Sequence, residues 1–138
     1  MGKEKKRGRN FGHLKGVEVV KKVVQSSIKY KIPVVTFYVF SSENWSRPKR
    51  EIDYLFRLIN NYFSKEILNT IKEGIKINIL GEIDKLPKDI KKTLKSAINK
   101  TKKNKKILVN LAINYGSKKE ILIAIRKNKK KVNQVNFE

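Results

Sequence analysis

Side chains suited to phosphate binding cluster in two short segments of the sequence. The first is RNFGH, Arg9 to His13, which runs directly into a stretch with helical periodicity. An arginine and a histidine at a helix N-terminus favour anion binding, because free backbone N–H groups and the helix dipole add to the side-chain charge. This segment therefore predicts a cradle for an anionic, phosphorylated ligand.

The second segment is SSENWSRP, which follows the apolar run IPVVTFYVF. Ser41, Ser42, Asn44 and Arg47 carry hydroxyl, amide and guanidinium groups that suit phosphate oxygens. A simpler interpretation stays open for each residue taken singly. Ser41 and Asn44 could only shape a turn, Trp45 could only pack, and His13 could be a surface or capping residue.

The elements that position these segments alternate regularly along the chain. Helices are predicted at 14–31, at 50–73, from Pro87 to about 101, and from 117 to about 131. The first has one face with Val20, Val23, Val24 and Ser27/Ile28, and Lys21 and Lys22 lie opposite. The second and third carry apolar stripes that recur every three or four residues, at Ile52, Leu55, Phe56, Ile59, Tyr62, Phe63, Ile67 and Ile71 and at Ile90, Leu94, Ala97, Ile98 and Thr101. Strands are predicted at 32–40, 75–81 and 107–116. About three strands alternating with four helices predict an α/β fold with a parallel β-sheet flanked by helices.

Ligands of such folds bind beyond the carboxyl ends of the strands, where SSENWSRP, GEIDKLP and NYGSKK all lie. Glu82 and Asp84 imitate a metal-binding pair, but a polar turn before a proline is the better interpretation. Asn114, Tyr115 and Gly116 are interpreted as mainly structural, at a strand end and tight turn.

Composition limits the class of protein. The 138 residues allow one domain at most, with a basic N-terminal stretch at 1–8 and a polar tail at 129–138, and the absence of cysteine favours a reducing compartment. No apolar run approaches the roughly 18 residues of a membrane span, so a cytoplasmic protein with at most peripheral membrane contact is expected.

The net charge of +22 suggests an anionic partner and leaves a basic module for RNA or acidic lipid as one alternative. Most of the basic residues are lysines, which share AT-rich codons with the abundant isoleucines and asparagines, so coding bias explains much of the charge. The aromatic residues fall in apolar stripes rather than among arginines, which argues against nucleic acid as a partner.

Three segments closely resemble the cis-prenyltransferase family, in particular bacterial undecaprenyl diphosphate synthase: FGHLKG, FYVFSSENWSRPKREIDYL and NLAINYGSKKEI. The resemblance covers about residues 7–128. It implies an undecaprenyl diphosphate synthase-like fold and the condensation of isopentenyl diphosphate with an allylic diphosphate, such as farnesyl diphosphate, into a long cis-polyprenyl diphosphate lipid carrier. It also implies Mg²⁺ as cofactor, a homodimer, and an apolar tunnel with helix 50–73 as one wall.

The resemblance also assigns roles to individual residues. Asn44 matches the catalytic asparagine of the family, and we interpret it as positioning the departing proton or relaying it through the diphosphate. Arg9 and His13 match residues that contact the allylic diphosphate, and Glu51 matches a glutamate thought to couple loop closure to binding. The surrounding substrate-binding loop comprises Ser41, Ser42, Glu43, Trp45 and Arg47.

The sequence departs from the family pattern at both ends. It lacks the DGNGRWA-type motif with the Mg²⁺-binding aspartate, the RTxxxxRxSxF-type segment, and a later metal-binding glutamate; Ser117 and Lys118 replace the common Gly-Arg. We therefore predict a partial domain truncated at both ends, with no metal ligands, unpaired sheet edges and little or no activity alone. A non-catalytic partner subunit of the same family is a further alternative.

Overall fold

The computed structural model describes the backbone of residues 9–127 and the side chains of residues 12–127. Helices α1 (Arg9–Lys29), α2 (Lys49–Lys72), α3 (Lys88–Thr101) and α4 (Ser117–Lys127) alternate with strands β1 (Val34–Ser41), β2 (Ile75–Leu80) and β3 (Ile107–Tyr115), and 3-10 turns occupy Ser42–Ser46 and Ile83–Lys85. The predicted stretches 1–8 and 129–138 lie outside the described residues.

The boundary of α1 corrects one prediction. The helix predicted over 14–31 already includes Arg9 and ends at Lys29. Arg9 and His13 therefore lie within the described helix, one turn apart, rather than in a loop that precedes it. The remaining predicted helices and strands agree with the structure to within two residues at each described boundary.

The three described strands form one parallel sheet in the order β1-β3-β2. Val34 pairs with Leu108 at the start of β1, and Ile75 pairs with Ile107 at the start of β2. The register between β1 and β3 shifts near Phe40, which bends the end of β1 just before the SSENWSRP segment. All three strands therefore deliver their carboxyl ends to the same edge of the sheet.

The core lies between the sheet and the helices α1, α2 and α3. The predicted α2 stripe is buried at Ile52, Leu55, Phe56, Ile59 and Phe63, and the α3 stripe at Ile90, Leu94, Ala97 and Thr101. These side chains recur every three or four residues, so each helix presents one apolar face to the strands.

The prediction of which α1 residues face the core was partly wrong. Val24 and Ser27 are buried, but Val23 is 40% exposed because it lies about 100° around the helix from Val24. Lys21, which was expected to face away, lies 3.1 Å from a carboxylate oxygen of Glu66 on α2. This ion pair places Lys21 at the margin of the α1–α2 contact.

Polar side chains fasten the chain near the amino ends of the strands. Thr101 is fully buried; its hydroxyl accepts the N–H of Ile77 at 3.0 Å and donates to the carbonyl of Ala97 at 2.8 Å. The amide of Asn104 donates to the carbonyl of Ile75 at 2.7 Å. Both side chains therefore form hydrogen bonds with backbone groups of the protein itself.

Within residues 9–127, none of the helices combines the length and the apolar character that crossing a bilayer requires.

Candidate functional site

The segment Ser41–Arg47 folds tightly on itself at the carboxyl end of β1. Asn44 accepts the backbone N–H of Ser41 through Oδ1 at 3.2 Å, and the backbone N–H of Arg47 donates to the carbonyl of Asn44 at 3.0 Å. The hydroxyl of Ser46 donates to the carbonyl of Glu43 at 2.8 Å. These contacts use the amide oxygen of Asn44 inside the loop and leave its amide nitrogen without a hydrogen-bond partner among the described residues.

Ser41 and Glu43, at the start of the loop, form a second contact. The hydroxyl of Ser41 donates to Oε2 of Glu43 at 2.6 Å. This hydrogen bond, together with a bond to the loop backbone, lowers the pKa of Glu43 below its ordinary value. Glu43 is therefore ionised at neutral pH, and its carboxylate orients the Ser41 hydroxyl.

A cluster of three charged or titratable side chains joins this loop to α1 and α2. Oε1 of Glu51 accepts a hydrogen bond from Nη1 of Arg47 at 3.0 Å and lies 3.4 Å from Nε2 of His13. The Glu51 side chain is 10% exposed, whereas those of His13 and Arg47 are 23% and 37% exposed. One largely covered carboxylate thus orients an arginine and a histidine whose outer edges reach solvent, where they can bind an anion.

Arg9 belongs to the same end of α1. Its backbone lies four residues, about one turn, before His13, so the two positions share a helix face. The side chain of Arg9 lies outside the described residues, and its predicted contact with a ligand stays a prediction.

Trp45 connects the loop to the core and to β3. Its ring packs edge-on against Phe40 and Phe56, with centroid distances of 5.1 and 5.8 Å. Its indole Nε1–H donates to Oδ1 of Asn114 at 2.9 Å. The packing interpretation of Trp45 therefore holds, and the ring also forms a polar contact that the sequence did not indicate.

Asn114 is the residue that the sequence interpretation undervalued. It is 3% exposed, has a φ of 53°, and donates through its amide nitrogen to the carbonyl of Glu82 at 3.0 Å. The only available signal was a polar residue near the end of an otherwise apolar strand.

The turns after β2 and β3 approach this loop closely. Gly81 has a φ of 116°, and a Cβ there would lie 2.3 Å from the carbonyl oxygen of Ile113. A Cβ on Gly116 would lie 2.1 Å from Oγ of Ser42. Only glycine fits at position 81, because a Cβ there would meet fixed backbone, whereas a Cβ at position 116 would require the Ser42 hydroxyl to rotate. These close approaches show that the three strand ends converge on the Ser41–Arg47 segment.

Glu82 and Asp84 form ion pairs with different lysines. Glu82 pairs with Lys119 and with Lys85, and Asp84 pairs with Lys91 at 2.7 Å. These hydrogen bonds lower the pKa of both carboxyl groups. The arrangement agrees with the polar-turn interpretation, since each carboxylate is matched to cations of its own.

An apolar cavity of about 280 Å³ opens beside the charged cluster. Its lining comes from α1, β1, β3 and α2 and comprises Gly12, His13, Gly16, Val17, Val20, Phe37, Tyr38, Val39, Leu55, Ile59, Tyr62, Phe63, Leu111 and Ile113. Along α2 the lining runs from Leu55 to Phe63, about 12 Å at the helical rise of about 1.5 Å per residue. Burial there raises the pKa of Tyr62. Helix α2 thus forms one wall of an apolar cavity, and His13 belongs both to the wall and to the charged cluster.

Solved structures share this architecture. A probable undecaprenyl diphosphate synthase from Campylobacter jejuni superposes with a TM-score of 0.78 at 29% sequence identity, over 88% of this chain and 61% of that chain. Lavandulyl diphosphate synthase from Lavandula x intermedia, solved in complex with dimethylallyl diphosphate, superposes with a TM-score of 0.88 at 22% identity, over 99% of this chain and 63% of that chain. The fold is therefore that of a prenyl diphosphate synthase of the α/β type.

Sequence comparison identifies the family. The model described as "Putative undecaprenyl diphosphate synthase" matches residues 2–138. The isoprenyl transferase of Clostridium tetani is 41% identical over 124 residues, 90% of this chain and 49% of its own length. That of Prochlorococcus marinus is 41% identical over 118 residues, 86% of this chain and 43% of its own length. The chain belongs to the undecaprenyl diphosphate synthase family, as the sequence resemblance predicted, and spans about half the length of the curated relatives it matches.

Proposed function

We propose that this chain supplies the diphosphate-binding and tail-receiving part of an isoprenyl transferase. The reaction condenses isopentenyl diphosphate with an allylic diphosphate, such as farnesyl diphosphate, and yields a long cis-polyprenyl diphosphate. The observation that carries the proposal is the position of His13, which belongs to the charged cluster with Glu51 and also lines the apolar cavity.

The charged cluster and the apolar cavity together indicate the class of substrate. An allylic diphosphate has a polyanionic head and an apolar tail. The outer edges of Arg47 and His13 suit the head, because charge-assisted hydrogen bonds are the strong ones. The cavity along α2 suits the tail, because burial of apolar surface is favourable at about 25 cal/mol per Å². The loop hydroxyls of Ser41 and Ser42 and the Trp45 ring complete the proposed binding surface, with Glu43 orienting Ser41.

Asn44 is the proposed catalytic residue. In the reaction the isopentenyl double bond attacks the allylic carbon, the allylic carbon–oxygen bond breaks with its electron pair leaving on diphosphate, and the new cation loses a proton. An amide is too weak a base to keep that proton. The amide nitrogen of Asn44 instead positions a diphosphate oxygen, and this oxygen accepts the proton.

The described residues do not fit a Mg²⁺ site. Within residues 12–127, no three histidine, cysteine, aspartate or glutamate side chains converge on one point. Glu51 is already shared by Arg47 and His13. We therefore assign no ligand of the ion among these residues and derive no step through it. A homodimer and peripheral membrane contact are part of the proposal only through the family resemblance.

The proposal is tested by calorimetric titration of the chain with farnesyl diphosphate. Arg47→Ala should weaken the affinity about tenfold to a hundredfold, because a hydrogen bond to a charged group contributes about 1.5 to 3 kcal/mol. Arg57→Ala is the matched control, since Arg57 is an exposed arginine on α2 outside the site and its loss changes the net charge equally. Equal weakening by both variants would show attraction by general charge alone and would contradict the proposal.

A second titration separates head from tail. Inorganic pyrophosphate presents the same charge without the tail, so it should bind at least about tenfold more weakly than farnesyl diphosphate if the cavity buries even a few carbons. Farnesol, which has only the tail, should show no measurable heat. Equal affinity for pyrophosphate and farnesyl diphosphate would remove the cavity from the site.

A further inference from the structure

Two hydrogen bonds of one buried amide connect the ends of all three strands. Oδ1 of Asn114, at the end of β3, accepts the indole N–H of Trp45, in the loop after β1. Nδ2 of the same side chain donates to the carbonyl of Glu82, in the turn after β2. Since Asn114 is only 3% exposed, the amide makes these contacts in place of water.

The backbone conformation at Asn114 favours this residue type. Its φ of 53° lies in the left-handed region, which asparagine adopts more readily than most residues. Both functional groups of the amide are used, one as acceptor and one as donor. Aspartate keeps the acceptor but places a second oxygen against the Glu82 carbonyl, and glycine keeps the conformation but removes both contacts.

Trp45 transmits this constraint to the site. It lies between Asn44 and Arg47 in a loop whose backbone bonds run from Arg47 to Asn44. Its ring has two supports, the apolar contacts with Phe40 and Phe56 and the single polar contact with Asn114. Apolar contacts are non-directional, so the hydrogen bond sets the rotation of the indole and with it the position of the loop.

We propose that Asn114 is a positioning residue for the diphosphate-binding loop, acting through the indole N–H of Trp45. The ligand class rests on the proposed function, but the coupling between Asn114 and Trp45 does not. Loss of the amide frees the indole, loosens the segment between Asn44 and Arg47, and weakens diphosphate binding although Asn114 does not touch the ligand.

The test uses fluorescence of the full chain, because Trp45 is its one tryptophan. Asn114→Gly should raise the acrylamide quenching constant and lower the fluorescence anisotropy of Trp45. Asn114→Asp keeps the acceptor for the indole N–H but loses the donor to the Glu82 carbonyl, so it should change both quantities less than Asn114→Gly does. The matched control is Asn104→Gly, which removes another amide bonded to a backbone carbonyl but at the opposite end of the sheet. It should lower the melting temperature and leave Trp45 unchanged.

The same variants are titrated with farnesyl diphosphate. Asn114→Gly should weaken the affinity about fivefold, the effect expected for loss of one hydrogen bond of about 1 kcal/mol, and Asn104→Gly should not change it. In a Trp45→Phe background, which lacks the indole N–H, Asn114→Gly should have a smaller effect, because the two residues then no longer interact.

The outcomes are distinct. Trp45 quenching that is unchanged in Asn114→Gly, or shifted equally by Asn104→Gly, overturns the proposal, as does full additivity in the Trp45→Phe background. Failure of the wild-type protein to bind farnesyl diphosphate overturns the proposed function instead, and the fluorescence comparison then still decides whether Asn114 positions the loop.

Discussion

Polar side chains have different hydrogen-bond partners at the two ends of the strands. At the amino ends, Thr101 and Asn104 bond to backbone groups and stay inside the fold. At the carboxyl ends, Arg47 and His13 bond to Glu51 through one side and reach solvent through the other. A polar side chain whose partners are all internal stabilises the fold, whereas one that keeps a solvent-facing edge can bind a ligand.

The difference also explains why the carboxyl ends carry the site. The parallel strands end there in three loops that approach one another at Gly81, Asn114 and Gly116. Because the loops leave different strands, residues far apart in sequence, such as Trp45 and Asn114, meet at this edge. At the amino ends, the contacts of Thr101 and Asn104 instead attach the end of α3 and the turn after it to β2.

The largest expected effect compares Gly74 and Gly81, the two glycines with positive φ among residues 9–127. Gly81→Ala should lower the free energy of unfolding by about 3 kcal/mol, because its φ of 116° suits glycine alone and its Cβ would meet the Ile113 carbonyl. Gly74→Ala should cost less, about 1 to 2 kcal/mol, because its φ of 74° is near the left-handed region and its Cβ would lie 2.9 Å from Cβ of Lys106, a milder overlap than that at Gly81. Urea unfolding measures both, and equal losses would contradict the tighter packing assigned to the carboxyl end.

The next prediction concerns Thr101→Val, a variant that should lower stability without changing ligand affinity. Thr101→Val keeps the shape of a fully buried residue but removes the acceptor for the Ile77 N–H. The free energy of unfolding should fall by about 1 to 3 kcal/mol, the cost of a buried donor left unpaired. The affinity of the folded protein for farnesyl diphosphate should stay unchanged at a temperature well below the melting point. Weakened binding would show that the two ends of the sheet are coupled.

The smallest effect concerns pH at the carboxyl end. Hydrogen bonds from Lys119 and then Lys85 lower the pKa of Glu82 in the folded protein. A lowered carboxyl pKa contributes stability above the unfolded-state pKa, and this contribution is lost as the pH falls through the folded-state value. The wild-type protein should therefore be slightly more stable than Glu82→Gln at neutral pH, and the difference should vanish as the pH falls through the lowered folded-state pKa of Glu82.

Urea unfolding at several pH values measures that difference. Since Glu82 and Lys119 are partly exposed and Lys85 is exposed, the effect should be small and should shrink further at high salt. A difference that grows as the pH falls would reverse the sign assigned to the pair.

Particular residues show how far prediction from the sequence reached. The buried stripe from Ile52 to Phe63 was predicted correctly, because apolar periodicity follows directly from helix geometry. Val23 was misplaced because its neighbours decide which side of α1 is covered. Asn114 was undervalued because its importance comes from two partners, Trp45 and Glu82, that no local pattern connects.

The sequence by itself determined the alternation of helices and strands, the parallel sheet, the family and the set of candidate site residues. These depend on local periodicity and on recognisable segments such as FSSENWSRP. Only the tertiary structure decided that His13 and Arg47 share the carboxylate of Glu51. It also decided that His13 lines the apolar cavity and that Asn114 accepts the indole N–H of Trp45. Such contacts join residues from separate elements, and their distances are set by how the helices and strands pack.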